Sequence, residues 1–400
     1  MSSPSCISRF RRAFASRCIG LALYSPIGAA EAWKLPPLDG ELAGEFSVPL
    51  LDPAPRLKWT LTLRTGKPRE RTVGFLIEGA GMRVRGEALL DPAGEGTWRI
   101  FEAEVDLAEW FRVTPLFVPG TAGITTGGNL TFTGSGTWRD GAIGGTGTVS
   151  LREGRIDDPT HKILLEGISV DVEFADIATL RTAPAQVFTW RSGRYDVVPL
   201  GVGRIEFDMD ADEVRVTSSL IDVFGGELQI GSLVMSMQRP EFTVDAKMVG
   251  VDVGQVLFLL PPVLTDARGR LDGHVALKRD ASGLQLGAGN LSLRPGETAQ
   301  LRLAPTPGLL SSSLPPMVLQ HYPGLKKIEM GEAPLRAEEL EVTFTPEGDA
   351  EGRTARVHVV GGPVDPNLRA PINLNVNVRG PLQSLIRFGT NSRLRFGAGR

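Results

Sequence analysis

Strict alternation of apolar and polar residues is the feature that most constrains this chain. Near the C-terminus, residues 371–379 read PINLNVNVR, in which every second residue is aliphatic and those between are Asn or Arg. This period of two is typical of a β-strand with one apolar and one polar face. The pattern recurs in LKWTLTLRT (57–65), LTFTG (130–134), SVDVEF (169–174), RIEFDMD (204–210), EFTVDAKMV (241–249), RLDGHVALK (270–278) and ELEVTFT (339–345).

The connections between these segments are short and carry turn residues, such as Asp140-Gly141 and Gly225-Gly226. Short connections favour hairpins and antiparallel pairing, since parallel pairs need long crossovers. Helical candidates are few and brief: residues 106–111, 253–260 and 315–322. The sequence therefore predicts a mainly β protein with an antiparallel sheet and few short helices.

A loose internal repeat suggests how the sheet is extended. VDLAEWF (105–111) resembles VDVGQVL (251–257), and each leads through a proline-containing stretch into a glycine-punctuated hairpin. Two copies of one module favour an elongated sheet built by repetition. Chance similarity between glycine-rich hairpins is the alternative.

The apolar faces of the strands need a cover. One solution is a core filled by the protein's own side chains, as in a β-sandwich or barrel. The other is a long curved sheet whose open groove takes acyl chains, since burial of each methylene contributes about 0.8 kcal/mol. Few helices are available as lids, and at this point both arrangements stay open.

The N-terminus has the features of an export signal. Four arginines precede the apolar run 19–30, and Ala30-Glu31-Ala32 has the form of a cleavage site. A disordered, arginine-rich start without a targeting role is the alternative. We expect three regions: residues 1–32 as the probable export signal, 33–158 as the N-terminal part of the groove and 159–400 as its C-terminal part.

Composition and motifs argue against several kinds of function. The net charge of −3 gives no basic surface for nucleic acid. The two cysteines, Cys6 and Cys18, both lie in the first twenty residues, so the body of the chain has no thiol for zinc or catalysis. The four histidines share no metal-ligand spacing, and DMDAD (208–212) is interpreted as a hairpin turn, not a calcium loop. We expect no enzyme, no cofactor and no metal.

Several segments together resemble the YdbH-like family, a group of AsmA-like bacterial envelope proteins with a repeating β-groove. They are DVVPLGVGRIEFDMDADEVRVTSSLIDVFGGELQIGSLVM (196–235), VGVDVGQVLFLL (249–260), GRLDGHVALKRDASGLQLGAGNLSL (269–293) and PINLNVNVRGPLQSLI (371–386). The resemblance covers roughly residues 160–386 and is strongest in the C-terminal region of the family. It implies an elongated, taco-like β-groove in the periplasm that carries phospholipid between the inner and outer membranes. It also implies a small outer-membrane lipoprotein as partner, added by β-strand pairing at the C-terminal end.

Alternation within the resembling region gives the residues that we expect to line the lipid groove. They are Ile205, Phe207, Met209, Phe242, Val244, Ala246, Met248, Leu271, Val275, Leu277, Leu340, Val342, Phe344, Ile372, Leu374, Val376 and Val378. Two other functions stay open: a non-transporting scaffold protein of the envelope with a closed core, and an extracytoplasmic hydrolase, which needs a carboxylate pair in a cleft. We expect a location in the periplasm or cell envelope, with possible membrane association.

Overall fold

The structure is a computed structural model that describes residues 39–47, 56–66, 70–91, 95–113, 123–237, 239, 241–257, 264–280, 283–312, 314–322, 324–368 and 371–379. The predicted export signal, with Cys6 and Cys18, lies outside these ranges. Within them, no helix combines the length and apolar character needed to cross a membrane.

The described residues form 23 strands and four short helices. The strands are β1 (Gly40–Ser47), β2 (Arg56–Thr65), β3 (Arg71–Gly79), β4 (Met82–Leu90), β5 (Gly96–Asp106), β6 (Thr125–Arg139), β7 (Ala142–Asp158), β8 (Ile163–Asp176), β9 (Arg181–Thr182), β10 (Gln186–Trp190), β11 (Ser192–Tyr195), β12 (Val198–Asp210), β13 (Glu213–Val223), β14 (Gly226–Ile230), β15 (Leu233–Ser236), β16 (Phe242–Asp252), β17 (Leu264–Arg268), β18 (Arg270–Asp280), β19 (Gly283–Leu293), β20 (Ala299–Leu303), β21 (Leu335–Phe344), β22 (Arg353–Pro363) and β23 (Ile372–Arg379). The helices are α1 (Leu107–Val113), α2 (Val253–Leu257), α3 (Pro316–His321) and α4 (Gly324–Glu329).

These strands belong to one antiparallel sheet, so the predicted fold class is confirmed. Turn chemistry explains the pairing. At the β6–β7 hairpin, Arg139 lies opposite Ala142, and the two residues between them, Asp140 and Gly141, have φ values of 50° and 74°. Positive φ at both central positions is the backbone of a type I′ turn, whose twist matches that of the flanking strands.

The three predicted helices are present as α1, α2 and α3, while α4 was not predicted. Its sequence, GLKKIE, is too short for a helical period to be recognised. DMDAD forms the predicted hairpin turn, because β12 ends at Asp210 and β13 begins at Glu213.

The chain divides into two compact units. Unit 1 comprises residues 1–196, 204–217 and 234–239, and unit 2 comprises residues 197–203, 218–233 and 240–400. The boundary predicted between residues 158 and 159 falls at the end of β7, inside unit 1.

Unit 2 contains a packed hydrophobic core. Its fully buried side chains include Leu271 and Leu291 from the sheet and Ile328 from α4. Val253 and Val256 of α2 belong to the same cluster, as do Leu325 of α4 and Ala333, which follows α4. The apolar face of the sheet in unit 2 is thus covered in part by α2 and by the chain between β20 and β21.

Candidate functional site

In unit 1, the strand register aligns apolar residues into rows that cross the sheet from β1 to β8. One row consists of Leu42, Leu61, Phe75, Gly86, Ile100, Gly134, Gly147 and Phe174, each directly opposite the next. Its neighbour consists of Gly44, Trp59, Ile77, Val84, Ala103, Phe132, Val149 and Val172. At about 4.8 Å between strands, a row of eight positions is about 34 Å long.

Glycines in these rows make room for aromatic rings on adjacent positions. A Cβ atom built at Gly44 would lie 2.5 Å from Cζ2 of Trp59, which is too close for any real contact. A Cβ atom at Gly147 would lie 2.6 Å from Cε2 of Phe132. The rings therefore cover the glycines, an arrangement known to stabilise glycine within sheets.

The side chains on this face are covered only in part. Along β6 and β7, exposed residues alternate with half-buried ones, and Phe132 and Val149 are among the half-buried. Full burial is confined to few positions, such as Leu57 at 8% exposure and Ile168 at 0%. A single sheet with a half-covered apolar face retains surface that another apolar molecule can cover.

The opposite face of the same strands is polar and solvated. Arg152 on β7 donates hydrogen bonds from Nη2 to both carboxylate oxygens of Asp171 on β8, at 2.8 and 2.7 Å. The Ser150 hydroxyl donates a third bond to Asp171 at 2.6 Å. The hydrogen bonds from Arg152 and then from Ser150 hold the pKa of Asp171 below its ordinary value. Asp171 thus remains ionised and paired on the solvent side.

Of the predicted lining residues, three belong to unit 1. Ile205, Phe207 and Met209 lie on β12 and are half-buried. The backbone N–H of Met209 donates to Oγ1 of Thr182 on β9 at 2.9 Å, which joins this part of β12 to unit 1.

The other predicted residues lie in unit 2, where the register also gathers them into rows. One row consists of Met248, Gly273, Leu291, Val342, Val357 and Val376, each directly opposite the next. Their burial differs. Ala246, Met248, Leu271, Val275, Leu340, Val342, Phe344 and Ile372 are buried in the core, whereas Phe242, Val244, Leu277, Leu374 and Val376 are half-buried. The side chain of Val378 lies outside the described part of the chain.

Comparison with known proteins now places the chain. Residues 32–316 match the model of a family described as YdbH-like, intermembrane phospholipid transport protein YdbH.

The chain belongs to the YdbH-like family.

The match begins well before the region where the sequence suggested it and includes all described strands of unit 1 before β12. It ends at Pro316, before β21. No curated protein and no solved structure matches the chain significantly. The matched residues of this YdbH-like chain therefore include both apolar rows of unit 1 in full.

Sequence reasoning missed most of the residues in these rows as candidate lining residues. The alternation in β2 and β6 predicts strands there, but the predicted groove-lining residues begin only at Ile205. A further signal was present: the face that carries Trp59, Phe75 and Phe132 also carries glycines on neighbouring strands. Only the register shows that each of these rings meets a glycine, because the partners lie on different strands.

Proposed function

We propose that this YdbH-like chain is a periplasmic lipid-transfer protein, and that its apolar sheet face holds the acyl chains of phospholipids moving between the inner and outer membranes. The observation that carries the proposal is the set of half-buried apolar rows in unit 1, together with the family match. One acyl chain spans about half of the ~30 Å hydrocarbon core of a bilayer. A row of about 34 Å is longer than that, so one acyl chain fits along it.

The physical basis is burial of hydrocarbon without specific polar contacts. Each methylene covered by the sheet contributes about 0.8 kcal/mol, so a long acyl chain gains several kcal/mol along a row. Because the gain is spread evenly along the row, the chain can slide with little change in free energy. Such a mechanism needs positioning of hydrocarbon and no catalytic residue.

Among the predicted lining residues, the half-buried members are the ones that we propose to contact lipid. Ile205, Phe207 and Met209 extend the face of unit 1. In unit 2 the buried members touch one another in the core, so lipid reaches them only if α2 or the chain between β20 and β21 moves away.

The C-terminal strand β23 supports the proposed partner. It pairs with β22 through residues from Arg353↔Arg379 to Gly361↔Ile372. Among the described residues, the strand registers give β23 the single partner β22. An open edge accepts an added strand through backbone hydrogen bonds, and we propose a small outer-membrane lipoprotein in this position.

Site-specific photocrosslinking tests the proposal. A photoreactive amino acid is placed at Val149, on the apolar face of β7, and in a matched variant at Thr148, its exposed neighbour on the polar face. We expect phospholipid adducts, identified by mass spectrometry, from position 149 and none from position 148. Equal labelling at both positions, or no lipid at either, contradicts the proposal.

A second candidate function is a scaffold of the cell envelope that transports nothing. The packed core of unit 2 favours it, because there the apolar face is covered by the protein itself. This candidate predicts that the protein purifies without phospholipid and gives no adduct at position 149.

A further inference from the structure

Unit 2 contains an open cavity of about 520 Å³ beside the β13–β14 turn. Its wall includes Asp222, Glu227, Arg270 and Arg294, together with Gly225 and Gly250. The volume lies within the range of small-molecule pockets, about 300–1,000 Å³. The four charged residues give the cavity two cationic and two anionic groups.

Arg270 is held in place by backbone carbonyls. Its Nη1 donates to the carbonyl oxygens of Gly225 at 2.5 Å and Gly250 at 2.6 Å. Both glycines have positive φ, at 67° and 64°, which turns the backbone at these two positions. A guanidinium has five N–H donors, so these bonds do not saturate it. Arg270 forms no ion pair with any described carboxylate within 4.0 Å.

Arg294 is fixed by a different partner. Its Nε and Nη2 donate to the two carboxylate oxygens of Asp272, at 2.7 and 3.0 Å. The backbone N–H of Gly250 also donates to Asp272, at 2.6 Å. Asp272 thus ties Arg294 to the same backbone segment that holds Arg270, and the two guanidinium groups line one cavity.

The two carboxylates of the cavity lie directly opposite one another on adjacent strands. Asp222 on β13 pairs with Glu227 on β14. Glu227 accepts a hydrogen bond from Gln229 at 2.9 Å. In the described part of the chain neither Asp222 nor Glu227 is in an ion pair. Like charges at directly opposite positions are unfavourable, so a cation bound between them relieves the repulsion.

We propose that this cavity binds a group in which a phosphate is joined to a primary ammonium, as in phosphoethanolamine, with the phosphate at Arg270 and Arg294 and the ammonium at Asp222 and Glu227. A simple anion leaves the acidic pair unbalanced, and a simple cation leaves Arg270 unpaired. Only a ligand with both charges meets both needs. The proposal deepens the proposed function, on which it rests: the ligand is the head group of the transported phospholipid.

Calorimetric titration with soluble probes tests the cavity itself. Glycerophosphoethanolamine is compared with glycerol phosphate, which lacks the ammonium, and with ethanolamine, which lacks the phosphate. We expect glycerophosphoethanolamine to bind at least tenfold more tightly than either. Equal affinities for glycerophosphoethanolamine and glycerol phosphate overturn the proposal.

Variants assign the roles of the charged groups. Arg270→Gln weakens binding of glycerophosphoethanolamine, and Asp222→Asn reduces its advantage over glycerol phosphate. Arg268→Gln is the control, because the Arg268 side chain is 78% exposed and pairs with Asp266, outside the cavity lining. Since Arg270 binds two carbonyls, circular dichroism checks the fold of its variant, and exposed Asp222 provides an independent variant. Unchanged binding in Asp222→Asn with a tenfold loss in Arg268→Gln also overturns the proposal.

The lipid that purifies with the protein distinguishes a lipid head group from a free metabolite. If the head group is the ligand, Asp222→Asn lowers the phosphatidylethanolamine fraction of bound lipid relative to phosphatidylglycerol, which has the phosphate but no ammonium, with total lipid unchanged. If that fraction does not change while Asp222→Asn removes the advantage of glycerophosphoethanolamine over glycerol phosphate, the ligand is a free phosphoethanolamine compound and the lipid assignment is overturned. Absence of all phospholipid from the wild-type protein contradicts the proposed function, while the probe titration still decides the cavity.

Discussion

Phe75 on β3 lies directly opposite Gly86 on β4, and its ring occupies the space that a side chain at Gly86 would need. A Cβ atom built at Gly86 would lie 2.5 Å from Cζ of Phe75 and 2.5 Å from the carbonyl oxygen of Arg99. Position 86, opposite the Phe75 ring, thus has room only for glycine. The same relationship between Trp59 and Gly44 shows that this is a repeated feature of the apolar face of unit 1.

Gly86→Ala is therefore expected to displace the Phe75 ring and to lower the free energy of unfolding by about 1–3 kcal/mol, as in other overpacked sites. Urea unfolding, monitored by circular dichroism, measures this change in the free energy of unfolding. Gly40→Ala is the matched control, because a Cβ atom at Gly40 meets nothing within 4 Å. Equal losses of unfolding free energy in Gly86→Ala and Gly40→Ala would contradict the packing of the Phe75 ring over Gly86.

A charge on the apolar face is expected to reduce lipid binding. Phe132→Asp places a carboxylate among half-buried apolar residues, where an ion without a partner is unfavourable. Thr133→Asp introduces the same charge at the next residue of β6, which is exposed. We expect several-fold less phospholipid to purify with Phe132→Asp than with the wild type, and no change for Thr133→Asp, by mass spectrometry against an internal standard.

The core of unit 2 is expected to respond to truncation as a closed core does. Leu271→Ala removes a side chain with 0% exposure and is expected to cost about 2–5 kcal/mol of unfolding free energy. Leu220→Ala, at a side chain with 44% exposure, is expected to change it by less than about 0.5 kcal/mol. Denaturant titrations measure both. A small effect at Leu271 would show that the sheet in unit 2 can open.

Glu329 is expected to make the stability of unit 2 depend on pH. Burial opposes ionisation of its carboxylate, but hydrogen bonds outweigh burial and hold its pKa below the ordinary value. The donors are the Ser311 hydroxyl, at 2.9 Å, and the backbone N–H groups of Gly308, Leu310 and Ser311. These bonds fasten residues 308–311, which follow β20, to α4.

Because folding lowers this pKa, the stabilisation is complete above the ordinary glutamate pKa and is lost as the pH falls through the folded-state value. Glu329→Gln is expected to cost about 1–3 kcal/mol at neutral pH, as when buried donors lose a charged acceptor. It should also flatten the acid limb of the stability profile. Urea unfolding between pH 3 and 7 measures both effects. Glu332→Gln, at an exposed residue, is the control and should leave the profile unchanged.

Strand positions and faces were predictable to a large extent. The segment LKWTLTLRT became β2, and the segment at 371–379 became β23, each with the predicted parity. His274, whose parity is opposite to that of Leu271, Val275 and Leu277, is exposed. These predictions succeed because side-chain direction in a strand depends only on the parity of the residue.

Which apolar residues are covered was not predictable in the same way. Leu271 and Phe207 have the same alternation around them, yet Leu271 is fully buried and Phe207 is half-buried. The difference comes from Ile328 and Val256, which join the core of unit 2 from the short helices α4 and α2, outside the strand that carries Leu271. No period in the sequence indicates where such a helix packs.

The sequence by itself determined that this protein is an antiparallel sheet with one apolar and one polar side, since alternation is a local property. Only the tertiary structure decided that the apolar side of unit 2 is filled by the chain itself while that of unit 1 is half-covered. It also decided that each of the rings Trp59, Phe75 and Phe132 meets a glycine across a strand boundary. The physical reason is that burial depends on the register between strands and on the packing of remote segments, and neither is encoded within a single strand.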